Sequence, residues 1–225
     1  MVFDTGQILF GLIEAFNYSK DNRFLTSAIR SGDWLLSVQD GKGYWQRYAF
    51  QSIPHAYYSR VASALIKLYK TVNDKKYLTA GQKNINWTLS NQLENGWFQN
   101  SGFTLENHKE PFTHTITYTI DGILEAGISI YDQSYINAAR KSVDEMLQAM
   151  NQNSVLWGKY NQRWEGMKNF VCLTGNAQLS IICSRLYQVT KKQEYLDMAR
   201  TLNKFLISKQ SLSMENKEIY GAIAG

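Results

Sequence analysis

The chain has 225 residues, of which 44% are hydrophobic and 19% charged. That is enough apolar side chain to bury a core unaided, which excludes intrinsic disorder, a collagen-like chain and a small disulfide scaffold. The net charge of +5, from 24 basic and 19 acidic residues, is scattered rather than striped, as in Lys192, Glu194, Asp197 and Arg200, so no nucleic-acid surface is expected. Two prolines, fifteen glycines and the lack of a run of 18 apolar residues predict a helical domain with no membrane span. The opening MVFDTGQILFGLIEAF has Asp4 ahead of its apolar stretch, no basic n-region and no cleavage site. It therefore reads as mature protein, and a cytoplasmic location is expected.

A helical pattern over roughly residues 5 to 19 comes first, and Phe24-Leu25-x-x-Ala28 opens a second one. The same pair of patterns recurs three times. A helix over roughly 56 to 72 precedes Tyr77-Leu78-x-Ala80, one over 114 to 131 precedes Tyr135-Ile136-x-x-Ala139, and one over 174 to 190 precedes Tyr195-Leu196-x-x-Ala199. The aromatic anchors lie 53, 58 and 60 residues apart. Ten residues after the anchor comes Trp34, Trp87 or Phe205, and fifteen after it comes Gln39, Gln92 or Gln210; the third copy has Glu145 and Met150 instead. The unit is a helical hairpin.

Composition says where the two helices of a unit sit. The first is nearly apolar all round, with small residues such as Gly11, Ala15, Ala62, Ala64, Gly122 and Ala126, so it should be the inner one. The second carries charge, as in Lys75, Lys76 and Lys83 or Arg140, Lys141 and Asp144, so it should be the outer one. Turns from inner to outer helix are short, whereas the returns over 40–54, 93–111 and 153–173 are long. All long loops and all inner-helix starts then share one rim.

Gln39-x3-Gly43-x-Trp45 resembles the QW motif of the terpenoid-cyclase-like toroids, and Gln92-x3-Gly96-Trp97 resembles a shortened version of it. The hairpin rhythm is similar to that of the six-hairpin glycosidase superfamily, which includes uronyl hydrolases, sugar epimerases and toroidal polysaccharide lyases. More loosely, the chain resembles uncharacterised toroid proteins of exopolysaccharide gene clusters. The resemblance implies an all-α fold: a single α/α-toroid domain over residues 1–225, here an open arc of four hairpins with parallel inner helices. Closed rings of that superfamily have about six hairpins, so a fragment of a longer toroid is expected, or self-association through the open edge. Aspartate-rich diphosphate clusters, zinc motifs such as HExxH and CxxC, and glycine-rich phosphate loops are all absent from the sequence, so no metal and no cofactor are expected.

Long loops on a rigid scaffold are where functional side chains collect. Trp45, Trp97, Trp157 and Trp164 fall on the rim, where they offer flat faces to sugar rings or plug the loops onto helix ends. His55 lies 22 residues before Tyr77, and His114 lies 21 before Tyr135, so both belong at inner-helix mouths and are expected to face one cavity. Tyr58, Arg60, Tyr118 and Asp121 surround them, and the other two mouths carry Asp4 with Gln7 and Asn176 with Gln178. Histidine, tyrosine and arginine suit removal of the proton beside a uronic acid carboxylate. His55 or His114 would be the base, Tyr118 or Tyr58 the acid, and Arg60 the neutraliser. Hydrolysis would need two carboxylates, drawn from Asp4, Asp121, Glu125 and Glu165. The expected function is carbohydrate processing, of an acidic polysaccharide or oligosaccharide, by a hydrolase, lyase or epimerase. The alternative is a non-catalytic carbohydrate-binding or scaffold module.

Overall fold

The computed structural model describes residues 1–212 and 217–223. Among these residues eight α-helices form four hairpins. They pair α1 (Val2–Ser19) with α2 (Asn22–Ser37), α3 (Ser59–Val72) with α4 (Lys75–Leu89), α5 (Thr113–Ile130) with α6 (Gln133–Gln148), and α7 (Leu173–Thr190) with α8 (Gln193–Ile207). Extended pairing among the described residues is confined to isolated bridges in loops, such as Trp157 with Val171. Among the described residues no helix is long and apolar enough to cross a membrane.

The four hairpin turns share one chemistry. The first turn residue, Lys20, Asn73, Tyr131 or Lys191, is left-handed, and its N–H closes on the carbonyl four residues back. The second is an aspartate in three turns, Asp21, Asp74 and Asp132, whose carboxylate accepts an N–H from the first turn of the next helix. A left-handed stop followed by an N-cap reverses the chain in two residues. Each outer helix is thereby laid on its own inner partner.

Inner helices pack side by side in the order α1, α3, α5, α7. Gly122 lets α5 approach α3 closely: a Cβ there would lie 2.3 Å from the Ser59 carbonyl carbon, and the Ser59 hydroxyl donates to the Thr119 carbonyl at 2.9 Å. Helices α3 and α5 have inner neighbours on both sides and bury Val61, Leu65, Ile120, Ile123 and Leu124 completely. The end helices keep an open face, with Ile8 of α1 and Ile181 of α7 more than half exposed. The architecture is an open arc of an α/α toroid.

The periodic residues turn out to join one unit to the next. The hydroxyls of Tyr77, Tyr135 and Tyr195 donate to Asp33, Asn86 and Asp144 on the preceding outer helix, at 2.8, 2.8 and 2.6 Å. The Gln39 amide donates to Gly43 O at 2.9 Å and to Ala80 O of α4 at 3.0 Å. Gln92 likewise reaches Ala138 O of α6 at 2.9 Å. Beneath these clips Trp45 and Trp97 are buried, and Trp45 Nε1 donates to Leu35 O at 2.9 Å. Neither indole is open to a sugar ring, because both fill the space between loop and helix ends.

Candidate functional site

The N-terminal ends of all four inner helices open on one cavity of about 980 Å³. Phe3 and Asp4 come from α1, Tyr57 and Tyr58 from the 3-10 turn that leads into α3, His114 and Tyr118 from α5, and Thr174 from α7. Return loops close the sides with Tyr48, Phe50 and Gln51 after α2 and with Phe103 and Thr104 after α4. Parallel helices end at a common level, so their polar first turns and unpaired N–H groups gather at the same mouth.

His114 is the cavity's imidazole. Its ring stacks on Phe112 at 5.6 Å and lies 5.4 Å from Phe103, with Tyr118 edge-on at 6.2 Å. Burial holds its pKa below the ordinary histidine value, which keeps it neutral and able to accept a proton near pH 7. Nδ1 faces Cys172 Sγ at 3.6 Å, and that sulfur caps α7 by accepting the Gly175 N–H at 3.3 Å. Tyr58 has its hydroxyl oxygen held by the Phe50 N–H at 3.0 Å. Burial raises the phenol pKa of both Tyr57 and Tyr58, so both remain protonated donors. Asp4, in the first turn of α1, is exposed at the mouth.

Behind Tyr118 lies a polar row across the inner helices. Arg60 of α3 pairs with Asp121 of α5, its Nε donates to Gln7 Oε1 of α1 at 3.3 Å, and its guanidinium sits 5.2 Å from the Tyr118 ring centre. The Asp121 carboxyl is pushed up to about 6, chiefly by burial and in part by Glu125, with Arg60 pulling the other way. Glu125 is bound by Arg185 of α7 at 2.5 and 3.0 Å, and Thr117 donates to Gln178. Gln7 Nε2 is buried without a partner. Arg60, Asp121, Gln7 and Gln178 thus support the cavity floor rather than its lining.

His55 does not share the cavity with His114. It is 1% exposed, with Gly102 O at 2.9 Å from Nδ1 and Phe50 O at 2.9 Å from Nε2. It ties the two return loops together. The third histidine completes the tie, because His108 Nδ1 accepts the Gly102 N–H at 3.0 Å. Trp164 is buried edge-on against Trp97 at 5.0 Å, its Nε1 donating to Asn95 O at 2.9 Å, and half-buried Trp157 is fixed by its bridge to Val171. Glu165 accepts from Asn161 at 2.7 Å within its own exposed loop. Asn176 is buried and bonds both the N–H and the C=O of Leu156, at 2.8 and 3.1 Å. These side chains shape loops instead of lining the cavity. Phe3, Tyr48, Phe50, Gln51 and Thr104 line it without having been singled out from the sequence. Phe3 had a usable signal, standing one residue before Asp4; the loop residues had none. Among the described residues no group of three or more His, Cys, Asp or Glu is placed to hold a metal ion.

No family model matches the chain, and no curated protein sequence matches it. Solved structures do share its fold. The unsaturated glucuronyl hydrolase of Bacillus sp. GL1, responsible for glycosaminoglycan degradation, superposes with a TM-score of 0.81 at 12% identity, over 98% of this chain and 65% of that one. The alpha-1,6-mannanase of a Salegentibacter species gives 0.74 at 12% identity, over 96% and 63%. A polysaccharide lyase gives 0.67 at 12% identity, over 95% and 65%. All are α/α toroids, and this chain is the same fold over less than two thirds of their length.

Proposed function

We propose that the cavity binds an acidic sugar chain and that the protein cleaves it by elimination. The observation that carries this reading is the convergence of four inner-helix N-termini on one aromatic-walled cavity lined by a neutral imidazole, four tyrosines and a single carboxylate. Aromatic faces suit sugar rings, and helix N-termini suit a uronate carboxylate. In the reaction His114 takes the proton on the carbon beside that carboxylate. The freed electron pair forms a carbon–carbon double bond, the adjacent C–O bond breaks, and Tyr118 gives its proton to the departing oxygen. The helix-end N–H groups stabilise the enolate-like charge.

A second reading, hydrolysis, is favoured by one feature. Asp121, its carboxyl raised by burial to about 6, would be the acid and Asp4 the second carboxylate, and two of the structural neighbours are a hydrolase and a mannanase. One assay separates the two. Incubation with a panel of uronate-containing polysaccharides should give new reducing ends together with ultraviolet absorbance from the unsaturated product, and His114→Ala should abolish both. Reducing ends without absorbance, lost in Asp121→Asn rather than in His114→Ala, would replace elimination by hydrolysis. Binding without turnover would leave a carbohydrate-binding module.

A further inference from the structure

Between the return loops after α4 and α6 lies a second cavity, a cleft of about 680 Å³. It belongs to the second and third hairpins, in the middle of the arc. One loop walls both cavities. After α4 the chain turns Phe103 and Thr104 to the central cavity and Asn100, His108 and Lys109 to the cleft. The opposite wall is Asn161, Gln162 and Arg163, from the loop after α6.

The two walls are stitched into place by the chain itself. Asn95 Nδ2 donates to Gln162 O at 2.8 Å, and Asn161 Oδ1 accepts the N–H groups of Arg163 and Glu165 at 2.9 and 3.1 Å. Asn100 is left-handed at φ 61°; its amide donates to Asn91 Oδ1 at 2.9 Å, and its carbonyl accepts the Ala56 N–H at 2.9 Å. Walls fixed in this way lose little freedom when a ligand arrives.

The groups left open on these walls share a purpose. His108, held at about 4 chiefly by burial, is neutral at pH 7. The Gly102 N–H at its Nδ1 puts the ring proton on Nε2. That Nε2–H has no acceptor among the described residues and is open to solvent. Lys109 and Arg163 are exposed and have no acidic partner among the described residues, whereas Arg60, Lys67 and Arg185 of the inner helices are each paired. The side-chain amides of Gln99 and Gln162 also bond nothing in the described chain, and an amide both donates and accepts. Two cations against one carboxylate, Glu110, leave the cleft with a net charge of +1. Trp97 forms part of the lining yet is 2% exposed, so no ring face is offered. A ligand here is held by charge and hydrogen bonds instead of stacking. A neutral sugar would leave both cations unanswered, and a bare inorganic anion would leave the amides unanswered.

We propose that this cleft is a second binding site for an acidic sugar chain, separate from the central cavity. Arg163 and Lys109 pair with a uronate carboxylate, His108 Nε2–H donates to it, and the amides of Gln99 and Gln162 bind ring hydroxyls. The choice of a sugar chain rests on the reading of the central cavity; the anion-binding character of the cleft does not.

The chain's three histidines make the test local, because His108 reports the cleft, His114 the cavity and His55 the sealed loop clamp. Nuclear magnetic resonance of histidine-labelled protein, assigned with His108→Gln and His114→Ala, follows the three rings during titration with short oligomers of galacturonic and glucuronic acid. The acidic oligomers should shift His108 saturably, and a neutral glucose oligomer of equal length should not. Lys109→Gln and Arg163→Gln should each weaken the His108 response about tenfold, the usual worth of a hydrogen bond to a charged group. Both variants should melt like the wild type, since the side chains they replace are exposed and unpaired. A His108 shift with His114 unmoved would support the cleft and overturn the cavity reading instead. A His108 ring that no acidic oligomer moves at its solubility limit would overturn the proposal. So would a shift that survives in the Lys109→Gln, Arg163→Gln double variant, which would show motion passed through the shared loop. Inorganic sulfate matching the oligomers in affinity would also overturn it, by leaving an anion site without sugar recognition.

Discussion

Replacing His55 separates a loop clamp from a catalytic base. Burial depresses its pKa, so at neutral pH the ring carries one N–H and donates to one of the two carbonyls, of Phe50 and Gly102, that stand 2.9 Å away. His55→Phe keeps a ring to stack on Tyr57, 4.7 Å distant, and removes only that donor. A buried carbonyl left unpaired costs about 1–3 kcal/mol. His55→Ala also empties the ring's volume, which brings the loss to roughly 3–5 kcal/mol. In a chain of this size each kcal/mol moves the melting temperature by about 2–4 °C. The phenylalanine variant should therefore melt about 6 °C lower, and the alanine variant about 12 °C lower, on the same scale. Circular dichroism melting checks both, alongside oligosaccharide affinity measured well below either transition. Affinity should fall in both variants, since Phe50 and Phe103 lose their shared tether. If His55→Phe melts with the wild type yet abolishes turnover, the imidazole acts on substrate and the clamp assignment is wrong.

Further expectations follow from other contacts. His114→Phe should lower turnover by about 10²-fold or more, the usual worth of a general base, with little change in melting. Acidification from pH 7 towards pH 4 should destabilise the fold. The unfolded chain takes up protons near the ordinary histidine value, while folded His108, held down at about 4, and His55 and His114, also lowered, resist them. Asp121 works in the opposite sense, because its raised value favours the folded state at low pH, while the lowered Asp33 and Asp132 add to the histidines' loss as pH nears 4; a pH series of chemical melts reads the net loss. Arg60→Met strands Asp121 among buried neighbours and should cost about 3 kcal/mol, with partial recovery in the Arg60→Met, Asp121→Leu double variant. Gly43→Ala would put a Cβ 2.4 Å from the Lys83 carbonyl oxygen at φ 97° and should cost several kcal/mol. Gly221→Ala, whose surroundings are open, should cost the monomer only about 1 kcal/mol of left-handed strain. Urea melts compare the two.

The repeat was legible because helix packing writes itself into local spacing. Phe24, Tyr77, Tyr135 and Tyr195 mark the outer helices, and the charge on those helices against the small residues of α1, α3, α5 and α7 separates outside from inside. Those features fix hairpins, parallel inner helices and a shared rim, since each depends on residues a few turns apart. The membership of the cavity is a different matter. His55 and His114 occupy equivalent places in the repeat, yet a 3-10 turn at Ala56–Tyr58 rotates the chain ahead of α3, so His55 sinks between two loops while His114 stands on the first turn of α5. Trp45, Trp97 and Trp164 read as rim residues and are, but whether an indole faces solvent or plugs a gap depends on which loop folds over it. Phe50, Gln51 and Phe103 reach the site from loops without periodicity, so only the packing of distant segments brings them there. Sequence spacing decided the scaffold; long-range closure of the return loops decided which side chains a ligand can touch.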